Sequence, residues 1–390
     1  MTHKDAICAP TLALILFAGY PALCAAQQAA SEKPAPLQHT QAQAVRIPVT
    51  VRDKHGDLVT NLQKSDLTLT EDGRNQVIQN LSIQSPLPFQ VGLLVQTSRG
   101  LMGAMEEERK AADKFVDTML PAGQETGPGT GNGAALGVAA PNNNEAFLIH
   151  FDREVELLQD FTESRDKLHK EIDDMGPTPR SRDDENGPET MGDDRQHTQN
   201  SRATAQLFDA IYLAADELMK PKNGRKALII LSDGVDRGSK ETLSEALDAA
   251  DHANLTIYTV YLKGEQQRSE TGFPGGGRRG GMGGGWPGGG SGYPGERRPK
   301  PEETGIDGKK IMAQIASRTG GRYFDTRKKE DLTEIYGLIA DELKGQYLLT
   351  YTPDMVDKDG GYHKVAVKAN KGDLTVTTRE GYYAPGGDSN

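Results

Sequence analysis

From Phe89 to Gln346 the chain alternates between two textures, and nothing else in it limits the fold so tightly. Short apolar runs (FQVGLLVQT, KALIILSDGVD, LTIYTVYLK, RYFDT) alternate with longer stretches carrying apolar residues at helical spacing (MGAMEEERKAADKFVDTML, AQLFDAIYLAADELMK, TLSEALDAADHAN, GKKIMAQIASRTGG, DLTEIYGLIADELKGQ). Continuous apolar runs suit strands buried on both faces, as in parallel sheets. The alternation therefore predicts an α/β fold, a doubly wound and mostly parallel sheet with helices on both faces. EAFLIHFDREVELLQDF is the exception. Its tight FDRE turn forces antiparallel pairing and places one antiparallel strand at an edge. Local signals agree with the helices. Ser164 stands as an N-cap before RDKLHKEIDDM, Thr242 and Glu245 have capping-box spacing, and the helix from Gly308 runs into Gly320 and Gly321.

Both flanks read differently. Residues 45–86 alternate apolar and polar in VRIPVTVRD and LTLTEDGRNQVIQNLSI, with Asp72-Gly73 as a hairpin signal. Residues 346–385 return to strands in QYLLTYTP, YHKVAVKA and LTVTTREGYYAP. Each flank has about forty residues, too few to bury a stable core alone. They are expected to pack together as one small β domain, with the α/β domain of residues 87–345 inserted between them. Insertions at 121–144, 176–201 and 266–305 are rich in Gly, Asn or mixed charge and read as disordered, because they bury too little apolar surface to offset chain entropy.

The first 26 residues read as a secretory signal: Lys4, an apolar run from Ala9 to Ala22, then small residues with cleavage expected near Ala26. Residues 27–44 are a polar Ala/Gln/Pro-rich linker. Cys8 and Cys24, the two cysteines of the chain, both fall in the signal. An exported mature chain would then carry no thiol, which rules out disulfides, cysteine–zinc sites and thiol nucleophiles. No later run is long and apolar enough to span a bilayer. A formal net charge of −11 argues against a nucleic-acid partner.

Three segments in order, QVGLLVQTS, TAQLFDAI and KALIILSDGVDRGS, resemble the landmark segments of a von Willebrand factor A-like domain. The flanks VTVRDKHGDLVTNLQKSDLTLTEDG and QYLLTYTP…REGYYAP resemble those of the acidobacterial VWFA-related family of secreted proteins. The resemblance spans Val45 to Pro385 apart from the insertions. It implies a protein-binding module rather than an enzyme, whose partner the sequence does not name.

The resemblance also implies a metal-ion-dependent adhesion site, in degenerate form. Relatives end the first strand in Asp-x-Ser-x-Ser and add a threonine from a later loop and an aspartate after another strand, a set of hard oxygen ligands suited to magnesium. Here Gln96 takes the aspartate's place, Ser98 matches the first serine, and Gly100 lacks the second hydroxyl. The threonine's place falls on Ala205, with Thr204 one residue off, and Asp233 matches the last aspartate. Fewer ligand charges mean lower affinity, so no cofactor is expected, the alternative being weakly held magnesium. Gln96 and Asp233 should meet at neighbouring strand ends facing one crevice. Without a metal, Asp233 reads as a turn former and Ser98 as a helix cap.

Other patterns carry less. Gly131 to Gly137 lacks the strand–helix context of a dinucleotide loop. His150 lies in an apolar strand and reads as a hydrogen-bonded core or edge histidine. Glu106, Glu107, Glu108 and Lys110 read as a solvated helix face, and the acidic residues Asp183 to Asp194 lack a calcium-loop pattern. Arg278, Arg279, Arg297 and Arg298, with Trp286 and Tyr293, lie in the glycine-rich insertion that follows LTIYTVYLK. That insertion should emerge at the carboxyl end of the sheet, on the side of Gln96 and Asp233. No nucleophile, base or cofactor motif is assembled in the sequence, so no enzymatic activity is expected.

Overall fold

The computed structural model describes residues 44–83, 87–120, 144–177, 205–263, 307–326, 331–354 and 360–384. All of them belong to the unit Ala42–Asn390. The signal, the linker and most of the expected insertions lie outside the described residues.

The central sheet has six strands in the order β10-β9-β8-β5-β6-β7. They are β5 (Phe89–Gln96), β6 (Glu145–Phe151), β7 (Val155–Thr162), β8 (Arg225–Ser232), β9 (Thr256–Tyr261) and β10 (Tyr323–Asp325). Every pairing is parallel except β6 with β7, which is antiparallel and puts β7 at the edge. The α/β expectation and its antiparallel exception both hold. The helices are α1 (Met105–Met119), α2 (Arg165–Asp174), α3 (Leu207–Tyr212), α4 (Leu243–His252), α5 (Gly308–Thr319) and α6 (Leu332–Gly345).

Strand alternation divides the interior into two cores. Val91, Leu93 and Val95 face one side, with Phe115 of α1, Leu168 of α2 and Ile339 of α6. Leu94, Leu228 and Ile230 face the other, with Ile211 of α3, Leu247 of α4 and Ile315 of α5. Gly92 is required on the second side. A Cβ there would lie 2.2 Å from the Phe147 ring and 2.4 Å from Leu228.

The flanking strands interleave. They are β1 (Val45–Arg52), β2 (Leu67–Glu71), β3 (Arg74–Gln76), β4 (Ile78–Ser82), β11 (Tyr347–Tyr351), β12 (Tyr362–Ala369), β13 (Thr375–Thr378) and β14 (Gly381–Tyr383). One sheet runs β13-β1-β11-β4 and the other β14-β12-β2-β3, so each draws strands from both flanks. Ile47 opposes Leu349 in the first, and Leu69 opposes Val367 in the second. These residues, with Val49, Val51, Tyr351 and Val365, form one shared apolar core that neither flank could build alone. The Asp72-Gly73 turn joining β2 and β3 has positive φ at both residues (47° and 80°), the backbone twist a two-residue hairpin needs.

Buried charges tie this β part to the helices. Arg379, between β13 and β14, donates to Asn254 Oδ1 (2.7 Å) and to the Asp251 carbonyl (3.0 Å) at the end of α4. Glu342 of α6 accepts from Arg322 (2.8 Å) and pairs with Arg52 of β1.

Several local expectations are corrected. Ser164 and Ser98 occupy N-cap positions, yet neither side chain bonds to its helix. The helix expected across residues 205–220 is α-helical only over Leu207–Tyr212 and continues as a π-helix over Leu213–Met219. Glu108 is not on a solvated face. It is 1% exposed, and its side chain turns into the core beside α6. Asn144, at the end of an insertion read as disordered, is held by hydrogen bonds. It accepts from the Phe89 amide and donates to the Met119 carbonyl, both at 2.9 Å. Among the described residues no helix is long and apolar enough to cross a membrane.

Candidate functional site at the strand ends

The chain leaves β5 through α1 to reach β6 on one side, and later enters β8 on the other. The strand order therefore reverses about β5. At such a reversal the connecting segments diverge and leave a crevice outside the carboxyl ends of the strands. Gln96 ends β5 and Ser232 ends β8, so the parallel register brings the two tips together.

Gln96 is only 2% exposed. Burying an amide is costly unless both of its ends are bonded. Here both are. Its Oε1 accepts from Ser232 Oγ at 2.6 Å and from the Asp233 amide at 3.1 Å. Its Nε2 donates to Ser98 Oγ at 3.0 Å. The Ser232 hydroxyl oxygen in turn accepts from the Gly234 amide at 2.9 Å.

Asp233 is part-buried, and its Oδ1 accepts from the Val235 amide at 3.0 Å, a turn-forming bond. Burial raises its carboxyl above the usual carboxylate range. The bond from Val235, the Gln96 amide and the charge of Arg237 pull in the other direction. The loop after Asp233 is fixed from two sides. Gly234, at φ 70°, touches Gly308 so closely that a Cβ on it would lie 2.2 Å from the Gly308 carbonyl oxygen. On the other side the Arg237 amide donates to the Ala205 carbonyl at 2.9 Å.

Three residues that sequence reasoning missed hold this loop to α3. Asp209 accepts from the Lys240 and Glu241 amides at 2.9 Å. Asp236 accepts from the Phe208 amide (3.2 Å) and from Ser239 Oγ (2.6 Å). The spacing of Asp236 and Ser239 was the one available signal, since short polar side chains close loops on themselves.

The structure thus brings together Gln96, Ser98 and Asp233, and ties buried Ala205 to the loop after Asp233 through the Arg237 amide. Thr204 lies outside the described residues. Gly100 is exposed, and among the described residues a Cβ on it would meet nothing within 4 Å.

This donor set does not fit a magnesium ion. The ion wants near-octahedral oxygen ligands with carboxylate charge. Gln96 Oε1 already receives two protons, from Ser232 and Asp233, and its other end presents N–H groups, which a cation repels. Ser98 Oγ accepts one of those N–H groups. Asp233 is the one carboxylate in the cluster.

A second chain of groups lies beneath. Thr97 Oγ1 is 3.3 Å from His150 Nδ1, and His150 Nε2 is 3.0 Å from Glu156 Oε2. The order resembles nucleophile, base and orienting acid. However, Thr97 is fully buried and His150 Nδ1 also lies 3.0 Å from the Gly176 carbonyl oxygen. Here the imidazole ties β6 to β7 and to the end of α2.

The reversal about β5, the antiparallel edge strand and the helices on both faces define a doubly wound α/β domain, the arrangement implied by the resemblance to von Willebrand factor A-like domains, carried by a β part made from both flanks. No family model matches the sequence, and neither does any curated protein. Solved structures are similar to it at low identity. An aerotolerance-related membrane protein from Bacteroides fragilis NCTC 9343 is 12% identical, with a TM-score of 0.37, over 65% of this chain and 98% of that one. Proximal thread matrix protein 1 from the mussel byssus is 10% identical, with a TM-score of 0.40, over 76% of this chain and 50% of that one. The SpRpn10 VWA domain is 10% identical, with a TM-score of 0.34, over 65% and 95%. The fold class stands on the sheet order and connections of the chain itself.

Proposed function

We propose that this chain is an exported, non-catalytic protein-binding module that takes its partner at the carboxyl end of the central sheet. The observation that carries this reading is the Gln96–Ser98–Asp233 cluster at the reversal of strand order, bonded within itself and rimmed by accessible residues. Met102 is 49% exposed, in the short 3-10 helix that follows Ser98. Gly100, Gly103, Arg237 and Gly238 are exposed on the same loops. A methionine is a flexible apolar contact, and its exposure among glycines suits a surface that accommodates a protein. Export follows from the reading of residues 1–26.

Absence of catalysis is supported by the chemistry of the cluster. Its one carboxylate is engaged in a turn, and its amide and hydroxyl are bonded to each other.

The test is capture from the exported fraction by wild-type protein and by Met102→Asp and Arg237→Glu variants, both surface changes that leave the core intact. A partner retained by wild type and lost from both variants is expected. A partner retained equally by all three proteins would place binding elsewhere on the molecule.

A further inference from the structure

The least expected feature of the strand-end cluster is that its buried amide has a partner at each end. A cation at such a place would hold the β5 and β8 loops together by attracting oxygen atoms from both. Gln96 reaches the same end by other means. Its N–H group draws in Ser98 Oγ (3.0 Å), while its carbonyl draws in Ser232 Oγ (2.6 Å) and the Asp233 backbone (3.1 Å). Burial raises the Asp233 carboxyl above the usual carboxylate range, and the neighbouring Gln96 amide acts against that rise. Two loops separated by 136 residues in sequence are thereby joined by one neutral side chain.

We infer that the Gln96 carboxamide is a built-in substitute for a divalent cation, fixing the binding face in one shape whatever the metal concentration. The inference rests on this face being the binding face, as proposed above. An aspartate at position 96 could not serve. It is shorter, it has no N–H to offer Ser98, and it would set a second carboxylate against Asp233, an arrangement that raises a pKa or requires a cation. The glutamine removes that requirement. It leaves Asp233 as the only charge of the cluster, so the partner meets a carboxylate and a hydroxyl where a metal-bearing site would present a positive ion.

The experiment is thermal unfolding of the full mature chain as wild type, Gln96→Asp and Gln96→Leu, each in magnesium and in chelator. The wild-type midpoint is expected to be the same in both conditions. Gln96→Leu should fall by about 3 °C or more in both, since several buried polar groups lose their partner. Gln96→Asp should fall in chelator and recover, in part or whole, in magnesium. A wild-type midpoint that rises with magnesium would overturn the inference, as would a Gln96→Leu protein as stable as wild type. If either Gln96 variant fails to fold, Ser232→Ala serves instead. It deletes one donor to the amide and should lower the midpoint equally with and without magnesium, and no change would count against the inference. Partner capture is measured separately. Loss of capture from Met102→Asp with a metal-insensitive midpoint supports both readings, whereas a metal-insensitive midpoint with capture unchanged by that substitution rejects the binding face alone.

Discussion

Ser232 Oγ donates to Gln96 Oε1 at 2.6 Å and, through its own lone pairs, accepts from the Gly234 amide at 2.9 Å. This one fully buried hydroxyl therefore couples the tip of β5 to the turn that follows β8. Ser232→Ala leaves an amide oxygen short of a donor and a backbone N–H short of an acceptor. The expected loss is about 2 kcal/mol of stability, read by denaturant unfolding.

Glu108 gives a pH dependence of definite sign. Burial pushes its carboxyl up to about 8, with Arg109 acting weakly in the other direction. The unfolded chain releases this proton near the ordinary value of 4.5, whereas the folded chain keeps it. Between those values the folded state binds more protons, so stability falls as pH rises, by about 1.4 kcal/mol per pH unit from this group. Glu108→Gln should remove that slope. Unfolding free energies measured from about pH 5 to about pH 7 should then be flatter for the variant and higher at the upper end.

Gly308 and Gly234 meet without room for a side chain. A Cβ on Gly308 would lie 2.1 Å from the Asp233 carbonyl oxygen. The contact is with backbone, which cannot rotate aside, so Gly308→Ala must push α5 away from the Asp233 loop. A loss of about 1–3 kcal/mol is expected, with weakened partner capture because the loop carrying Asp233 moves.

Asp251 is the hub joining α4 to the β part. Its side chain is fully buried and receives Arg318 Nε at 2.9 Å, with Arg379 Nη2 at 3.5 Å. Asp251→Ala strands the buried Arg379 without its charge partner and should cost about 3–5 kcal/mol. Asp251→Asn, which keeps the shape and the acceptor, should cost less.

Much of this was legible in the sequence. Apolar runs and their period located the strands, and the short FDRE turn dictated the antiparallel pair. Thr242 and Glu245 form the capping box their spacing implied. Gln96 and Asp233 meet because parallel strands of similar length end together. What could not be read depends on partners distant in the chain. The alternation in β1 and β2 marks a buried face but does not say that one pairs with β11 and the other with β12. Glu108 stands in a run of three glutamates, and only the third faces the core, because only the packing of α6 decides which part of α1 is covered. Ser232 stands in an ordinary Ser-Asp-Gly sequence. Its hydroxyl becomes structural only when Gln96 arrives beside it.

The most direct measurement is a calorimetric titration of the metal-free mature protein with magnesium. No heat beyond dilution is expected, because the amide of Gln96 already makes the contacts that a cation would make. Saturable binding in the micromolar range would contradict that assignment.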